Sequence, residues 1–333
     1  MSMAARRVNV SSRNRRRPRS LASAIILRYC HTMPTPLPHD KILRRRLLLL
    51  RRALKDVRGG DPSAIHHARI ATRRLRELVP LLGLDPNVTR TVVRHLRKAG
   101  RRLGRLRDID ARLELLDQLL QSHSINGSRL RALRDDIDIR RADERRRLAK
   151  GSMQRRLDVV WKTLRATPGD ATRSSASRTR RLVRRVDRRL VHRAAALSAA
   201  IRQAGTTADP ERLHGVRIGV KKLRYAVEIA ADAGQRTSPA SIPLLKRVQD
   251  ALGGLRDAHL LLDRVRRNGL GRKRPDERAA REGLRLEAAL EVKCRRLHGR
   301  FRQSRLPLLR LCARMSAAPP GSRQRKEPDD GNA

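Results

Sequence analysis

Between residues 40 and 312 apolar side chains recur three and four positions apart, with basic and polar residues filling the other faces of the pattern, which is the period of amphipathic helices. The pattern is broken at Gly59-Gly60-Asp61-Pro62, Asp85-Pro86, Asn126-Gly127, Pro168-Gly169, Asp209-Pro210, Ser238-Pro239 and Arg274-Pro275. Seven interruptions by helix-breaking residues predict about eight helices and no sheet. Asp61 and Asp209 each precede a Pro that opens a helical run. That is the order of an N-cap followed by Pro at the first helical position.

The two capped runs are alike. DPSAIHHARIATRRLRELV from Asp61 aligns without a gap to DPERLHGVRIGVKKLRYAV from Asp209, an offset of 148 positions. A second pair follows in the same order: LRKAGRRLGRLRD from Leu96 aligns with LKRVQDALGGLRD from Leu245 at an offset of 149. Two matches in one order at nearly one spacing indicate a tandem duplication. The expected architecture is all-α, with two pseudo-symmetric four-helix bundles over residues 40–167 and 173–312.

A helical wheel separates the faces of the duplicated run. With His66 at zero and about 100° per residue, Ile65, Ala68, Thr72, Leu75 and Val79 fall between about 180° and 260° and form the core face. His66, Arg69, Arg73 and Arg76 fall between about 280° and 360°, so the basic stripe borders the core face instead of opposing it. In the second copy Leu213, Val216, Val220, Leu223 and Val227 take the core positions, and His214, Arg217, Lys221 and Arg224 take the stripe. Arg74 and Lys222 lie on the flank, near 80° on the same wheel. Like charges three and four apart on a helix repel. A stripe without an acid therefore suits an anion, and Arg forks match phosphate oxygens.

Composition widens this reading. The 333 residues carry 81 Lys and Arg against 32 Asp and Glu, a net charge of +49, with 39% hydrophobic residues and only 1% aromatic. The apolar fraction is enough for a core built from Leu, Ala, Val and Ile, and the charge points to a polyanionic partner: nucleic acid, anionic membrane or inorganic polyphosphate. No apolar run reaches the roughly 20 residues of a membrane span. Cys30, Cys294 and Cys312 are too few and too scattered for a disulfide framework or zinc site, which suggests a reducing, cytoplasmic setting. Residues 1–38 are Arg- and Ser-rich without an acid and read as disordered, as a targeting segment or as an upstream start before Met33; residues 316–333 read as a disordered tail.

The chemistry of catalysis is missing from the pattern. There is no P-loop, no carboxylate pair near His66 or His214 and no metal-ligand spacing, so neither an enzyme nor a cofactor or metal is expected. His67 has Gly215 at the matching position and reads as surface. With so few aromatic residues for base stacking and no helix-turn-helix register or zinc finger, nucleic acid is expected to bind only weakly and without sequence preference.

The pattern H-x-x-R-x-x-x-[RK]-[RK]-x-R at His66 and again at His214, each followed by a helix ending LG-x-LRD at Leu103–Asp108 and Leu252–Asp257, resembles the CHAD domain, the conserved histidine α-helical domain. The resemblance covers about residues 40–312. It implies a pair of helical bundles with a basic channel or groove for inorganic polyphosphate, and members found on polyphosphate granules. Matched position by position, the lining would be His66, Arg69, Arg73, Arg76, His214, Arg217, Lys221 and Arg224, joined by Arg97, Lys98, Lys246 and Arg247. Arg74, Lys222 and Arg101 would form a second tier. Asp250 stands where the first half has Arg101, so the second half is expected to hold the ligand less tightly. The acidic ExExK-type strand motif of the triphosphatase domain that accompanies many relatives is not found here. The leucine-arginine-aspartate ends are expected to hold the bundles through ion pairs.

Overall fold

The computed structural model describes residues 39–57, 59–122, 128–166, 175–235, 237–267 and 277–317. Among them are nine α-helices and no strand: α1 His39–Leu54, α2 Pro62–Leu78, α3 Pro86–Ser122, α4 Ser128–Ala149, α5 Ser152–Ala166, α6 Ser175–Ala204, α7 Pro210–Asp232, α8 Ser241–Arg267 and α9 Glu277–Ser316. A 3₁₀ turn at Val79–Leu81 follows α2. The expectations for residues 1–38 and for the breaks at Asn126-Gly127, Pro168-Gly169 and Arg274-Pro275 lie outside the described residues, as does the tail from 318. Ser316, expected in that tail, closes α9.

Helix starts follow local chemistry. The Asp61 carboxylate accepts from the Ala64 N–H at 2.6 Å. Asp85 accepts from the Asn87 and Val88 N–H groups at 2.8 and 3.1 Å, and Asp209 from those of Glu211 and Arg212 at 3.3 and 3.4 Å. Each satisfies first-turn donors that have no partner within the helix. The ninth helix arises at Gly151, whose φ of +74 ends α4 and allows α5 to begin. Apolar spacing continues across that point through Leu148, Met153 and Leu157, so periodicity alone carries the helix through. The corresponding glycine 148 positions on, Gly299, sits inside an uninterrupted α9.

Apolar burial gathers in two clusters. One unites α1, α2, α3 as far as Leu106, α5, Leu182 and Val186 of α6, and Ile229, Ala230 and Ala233 of α7. The other unites α3 from Ile109 onward, Leu130 to Ile137 of α4, α6 from Ala194, most of α7, α8 and α9. The clusters do not part at the sequence midpoint. With 37 residues, α3 is about 55 Å long at 1.5 Å per residue, and one helix of that length passes from one core into the other. Every position assigned to the core face of α2 and α7 is buried, none more than 4% exposed.

Several sets of contacts cross between the halves, two of them between duplicated elements. α2 packs on α7, and α3 on α8. These are the two pairs of helices that carry the duplicated motifs, so the fold brings the copies face to face.

A converged basic cluster between α2, α3, α7 and α8

Because Ile65, Ala68, Thr72 and Leu75 are drawn into the core, the stripe of α2 is held at the edge of the helix interface. Arg69, Arg73 and Arg76 are half-buried there, and His66 is exposed at its N-terminal end. On α7, His214, Arg217 and Lys221 are likewise half-buried beside Leu213, Val216 and Val220.

Lys221 shows that the two stripes meet. Its ammonium is pushed down to about 6, first by loss of solvent, then by Arg217 on its own helix and by Arg73 and Arg69 across on α2; Asp108 of α3 opposes the shift. Arg217 is lowered by burial and by Arg256 and Arg73, with Asp257 and Asp108 opposing. Arg69 is lowered by burial and by Arg73, and donates to Asp108, Nη1 to Oδ1 2.9 Å. Asp257 is raised by burial and by Asp108, against Arg217, Arg107 and Arg112. Both leucine-arginine-aspartate ends therefore point into the same cluster. Asp108 forms the expected ion pair; Asp257 shows none among the described residues, yet stands within electrostatic reach of Arg217.

Six basic side chains, Arg69, Arg73, Arg107, Arg217, Lys221 and Arg256, thus gather around two carboxylates. The Nε atoms of Arg69 and Arg217 are buried without a hydrogen-bond partner among the described residues. A buried donor left unpaired costs about 1–3 kcal/mol, and an anionic oxygen placed in the cluster would recover that cost.

The histidines sit at matching edges. Reduced solvent around the His66 ring, then Arg107, His67, Arg69 and Arg224, push it down to about 4. His214 is lowered by burial, then by Arg256, Arg217 and Lys221, with Glu211 opposing. An Arg256 Nη1–H donates to His214 Nδ1 at 2.6 Å, a bond that requires the neutral ring. Ligand-free, both imidazoles are neutral at pH 7, and each can donate one hydrogen bond to an oxygen.

Other sequence-selected residues are placed differently. Arg224 is 8% exposed and turns into the interior, bonding Glu228 and, at 3.0 Å, the Gln249 side-chain oxygen. Arg74 donates to the other oxygen of Glu228 at 2.7 Å. One carboxylate therefore ties α2 to α7 beneath the cluster, and the two arginines serve it. Arg76 is lowered by burial and lies near Glu77, Arg73 and Arg97, extending the first stripe. Arg97, Lys98 and Arg101 are exposed along α3, and Lys98 adds to the depression of His95. Lys222 is half-buried and Lys246 exposed. Loss of solvent raises the Asp250 carboxyl, with Lys246 and Arg224 opposing. Arg247 faces a separate cleft between α8 and α9.

Arg107 and Arg256 are the residues that helical-wheel reasoning passed over. They were legible as a pair, since both occupy the same place in the duplicated motif at an offset of 149; their neighbouring aspartates suggested a purely structural role. Among the described residues no three His, Cys, Asp or Glu side chains are grouped to hold a metal ion, and no helix is long and apolar enough to cross a membrane.

Comparison with known proteins addresses the family and the fold. The CHAD domain model matches residues 41–266. Among solved structures the chain is similar to PptA from Streptomyces chartreusis, with 20% identity, a TM-score of 0.55 and coverage of 81% of this chain and 99% of that one. It is also similar to the CHAD domain from the plant Ricinus communis, with 22% identity, a TM-score of 0.52 and coverage of 80% and 89%. No curated protein matches the chain. At these identities the structural likeness establishes the fold.

Proposed function

The chain belongs to the CHAD domain family, and from its converged basic stripes we propose that it binds inorganic polyphosphate without transforming it. The observation that carries this reading is the packing of α2 on α7, which buries Lys221 and sets it beside Arg217 of its own helix and Arg73 and Arg69 of the other: basic groups from two copies of one motif share a single small volume. Such crowding is unfavourable until an anion enters it.

Polyphosphate suits the cluster better than nucleic acid. It presents a closely spaced row of phosphate oxygens and no bases, so it needs arginine forks and no stacking platform. The aromatic residues near the cluster do not offer one, since Tyr225 is buried with the Arg224 guanidinium over its ring. A granule-associated role in the cytoplasm follows from the same reading.

The test is a salt titration of binding to long-chain polyphosphate. Release of condensed counterions gives a slope of log affinity against log salt of about −0.7 per cation neutralised on a single strand, so engagement of the six cations predicts a slope near −4. Replacing Arg69, Arg73, Arg217 and Lys221 with Ala should flatten that slope to about −1 and weaken binding at least a hundredfold. Unchanged affinity in that variant would overturn the proposal, and displacement of polyphosphate by duplex DNA at equal phosphate concentration would favour a nucleic-acid partner. Absence of phosphate release with added magnesium would support binding without turnover.

A further inference from the structure

A second anion-directed feature lies away from the cluster, where the first turn of α8 meets the last part of α9. A cleft of about 300 Å³ opens there, lined by Ser241, Leu244, Arg247, Pro307, Arg310 and Arg314 among others.

Its polar groups point to one class of ligand. Arg310 and Arg314 are one helical turn apart on α9, and Arg247 approaches from α8. All three are exposed, and among the described residues none is paired with a carboxylate. No acidic side chain lines the cleft. The N-terminus of α8, a helix of 27 residues, opens onto it and carries the positive end of the helix dipole.

Ser241 supplies an independent observation. It is 1% exposed and lines the cleft, yet among the described residues its Oγ has no hydrogen-bond partner. A solvated arginine patch would leave that hydroxyl unexplained, because buried polar groups are nearly always bonded. An anionic oxygen at the helix N-terminus would accept from it. Leu244, Pro307 and Leu311 complete an apolar floor that limits the site to a compact group.

We propose that this cleft is a second anion site for a terminal phosphoryl group, carried either by a short inorganic oligophosphate or by a phosphate ester. Three arginines, a buried serine and a helix terminus line it, and none of Ser241, Arg310 and Arg314 belongs to the cluster between α2 and α7. The site stands whether or not the cluster binds polyphosphate. It also gives Arg247 a ligand different from the one its place in the duplicated motif suggested.

The experiment is calorimetric titration of the full chain at low salt with tripolyphosphate and, separately, adenosine triphosphate. The chain with Arg69, Arg73, Arg217 and Lys221 replaced by Ala should retain one saturable site. Adding Arg310→Ala and Arg314→Ala should weaken that site at least thirtyfold, and Ser241→Ala alone should weaken it about threefold without lowering the melting temperature of the ligand-free chain. In the unaltered chain the arginine pair of substitutions should lower the tripolyphosphate stoichiometry by one. Equal binding of both probes assigns the site to any phosphoryl end, and binding of tripolyphosphate alone restricts it to inorganic chains. Survival of the site after loss of Arg310 and Arg314, or no saturable binding once the cluster is disabled, overturns the proposal. Loss of long-chain polyphosphate binding alone would instead count against the proposed function.

Discussion

Replacing Lys221 with Met should stabilise the ligand-free protein while weakening its hold on polyphosphate. In the folded chain the ammonium titrates at about 6, against an ordinary 10.5. Between those values the unfolded chain binds one more proton than the folded chain, so stability rises with pH through that window. The cost is fully present below about pH 6 and absent above 10.5. At 1.36 kcal/mol per pH unit the ceiling is about 6 kcal/mol, and solvent at the half-buried site screens it to a few kcal/mol. Methionine has similar length and cannot charge, so folding no longer has to strip a proton from an amine placed beside Arg217, Arg73 and Arg69. Urea denaturation of both proteins at a series of pH values, without phosphate, measures the difference. The variant should gain about 2–3 kcal/mol at pH 7 and only the packing remainder near pH 10.5. A gain that does not shrink between pH 7 and 10.5 would refute the electrostatic reasoning and leave packing as its source.

The same protonation couples to binding. A polyanion should restore the Lys221 charge, so at pH 7.5 each binding event should take up about one proton, detected as buffer-dependent heat in calorimetry, and affinity should fall as pH rises from 6 to 9; Lys221→Met should abolish most of the uptake. Glu228→Gln should destabilise the fold by about 3 kcal/mol, read as a lower urea midpoint, because Arg74 and Arg224 would be left facing one neutral amide. Arg256→Ala should raise the His214 pKa toward 6.5, visible by NMR titration, since it removes the cation nearest the ring. Arg107→Ala should weaken polyphosphate binding as much as Arg69→Ala, on the order of tenfold by filter binding.

The elements with short-range causes were legible in the sequence. The caps Asp61 and Asp209 and the core faces of α2 and α7 follow from the identity of a few neighbouring residues, and the structure has them as expected. Gly151 was not legible, because the same residue at 299 remains helical; surroundings, not propensity, decide between the two outcomes. Arg224 was misplaced for a subtler reason. The first copy has Pro80 four residues after Arg76, while the second has Glu228 four residues after Arg224. That acid is within one helical turn and draws the guanidinium inward. The wheel compared basic positions with one another and overlooked what followed them. Arg247 diverged because it borders the cleft between α8 and α9.

The shared helices explain how so much like charge can be held together. Two independent bundles pressing basic stripes against one another would separate, since Coulomb repulsion between them is relieved by distance. Here α3 contributes Leu96, Leu103 and Leu106 to one core and Leu116 and Leu119 to the other. α7 does the same with Ile229 and Ala230 against Val216 and Val220. Separating the stripes would require exposing both cores. Apolar burial, at about 25 cal/mol per Å², therefore opposes the repulsion directly. Largely buried ion pairs add clips across the same seam, with Arg45 and Arg46 of α1 on Asp232 of α7 and Arg193 of α6 on Glu77 of α2. The result is a cation cluster already arranged before its ligand arrives, so association loses little to reorganisation. It follows that core substitutions at the crossover, such as Leu106→Ala, should loosen the cluster and raise Lys221 toward its ordinary value, while equally destabilising changes far from the crossover, such as Leu157→Ala, should leave it depressed.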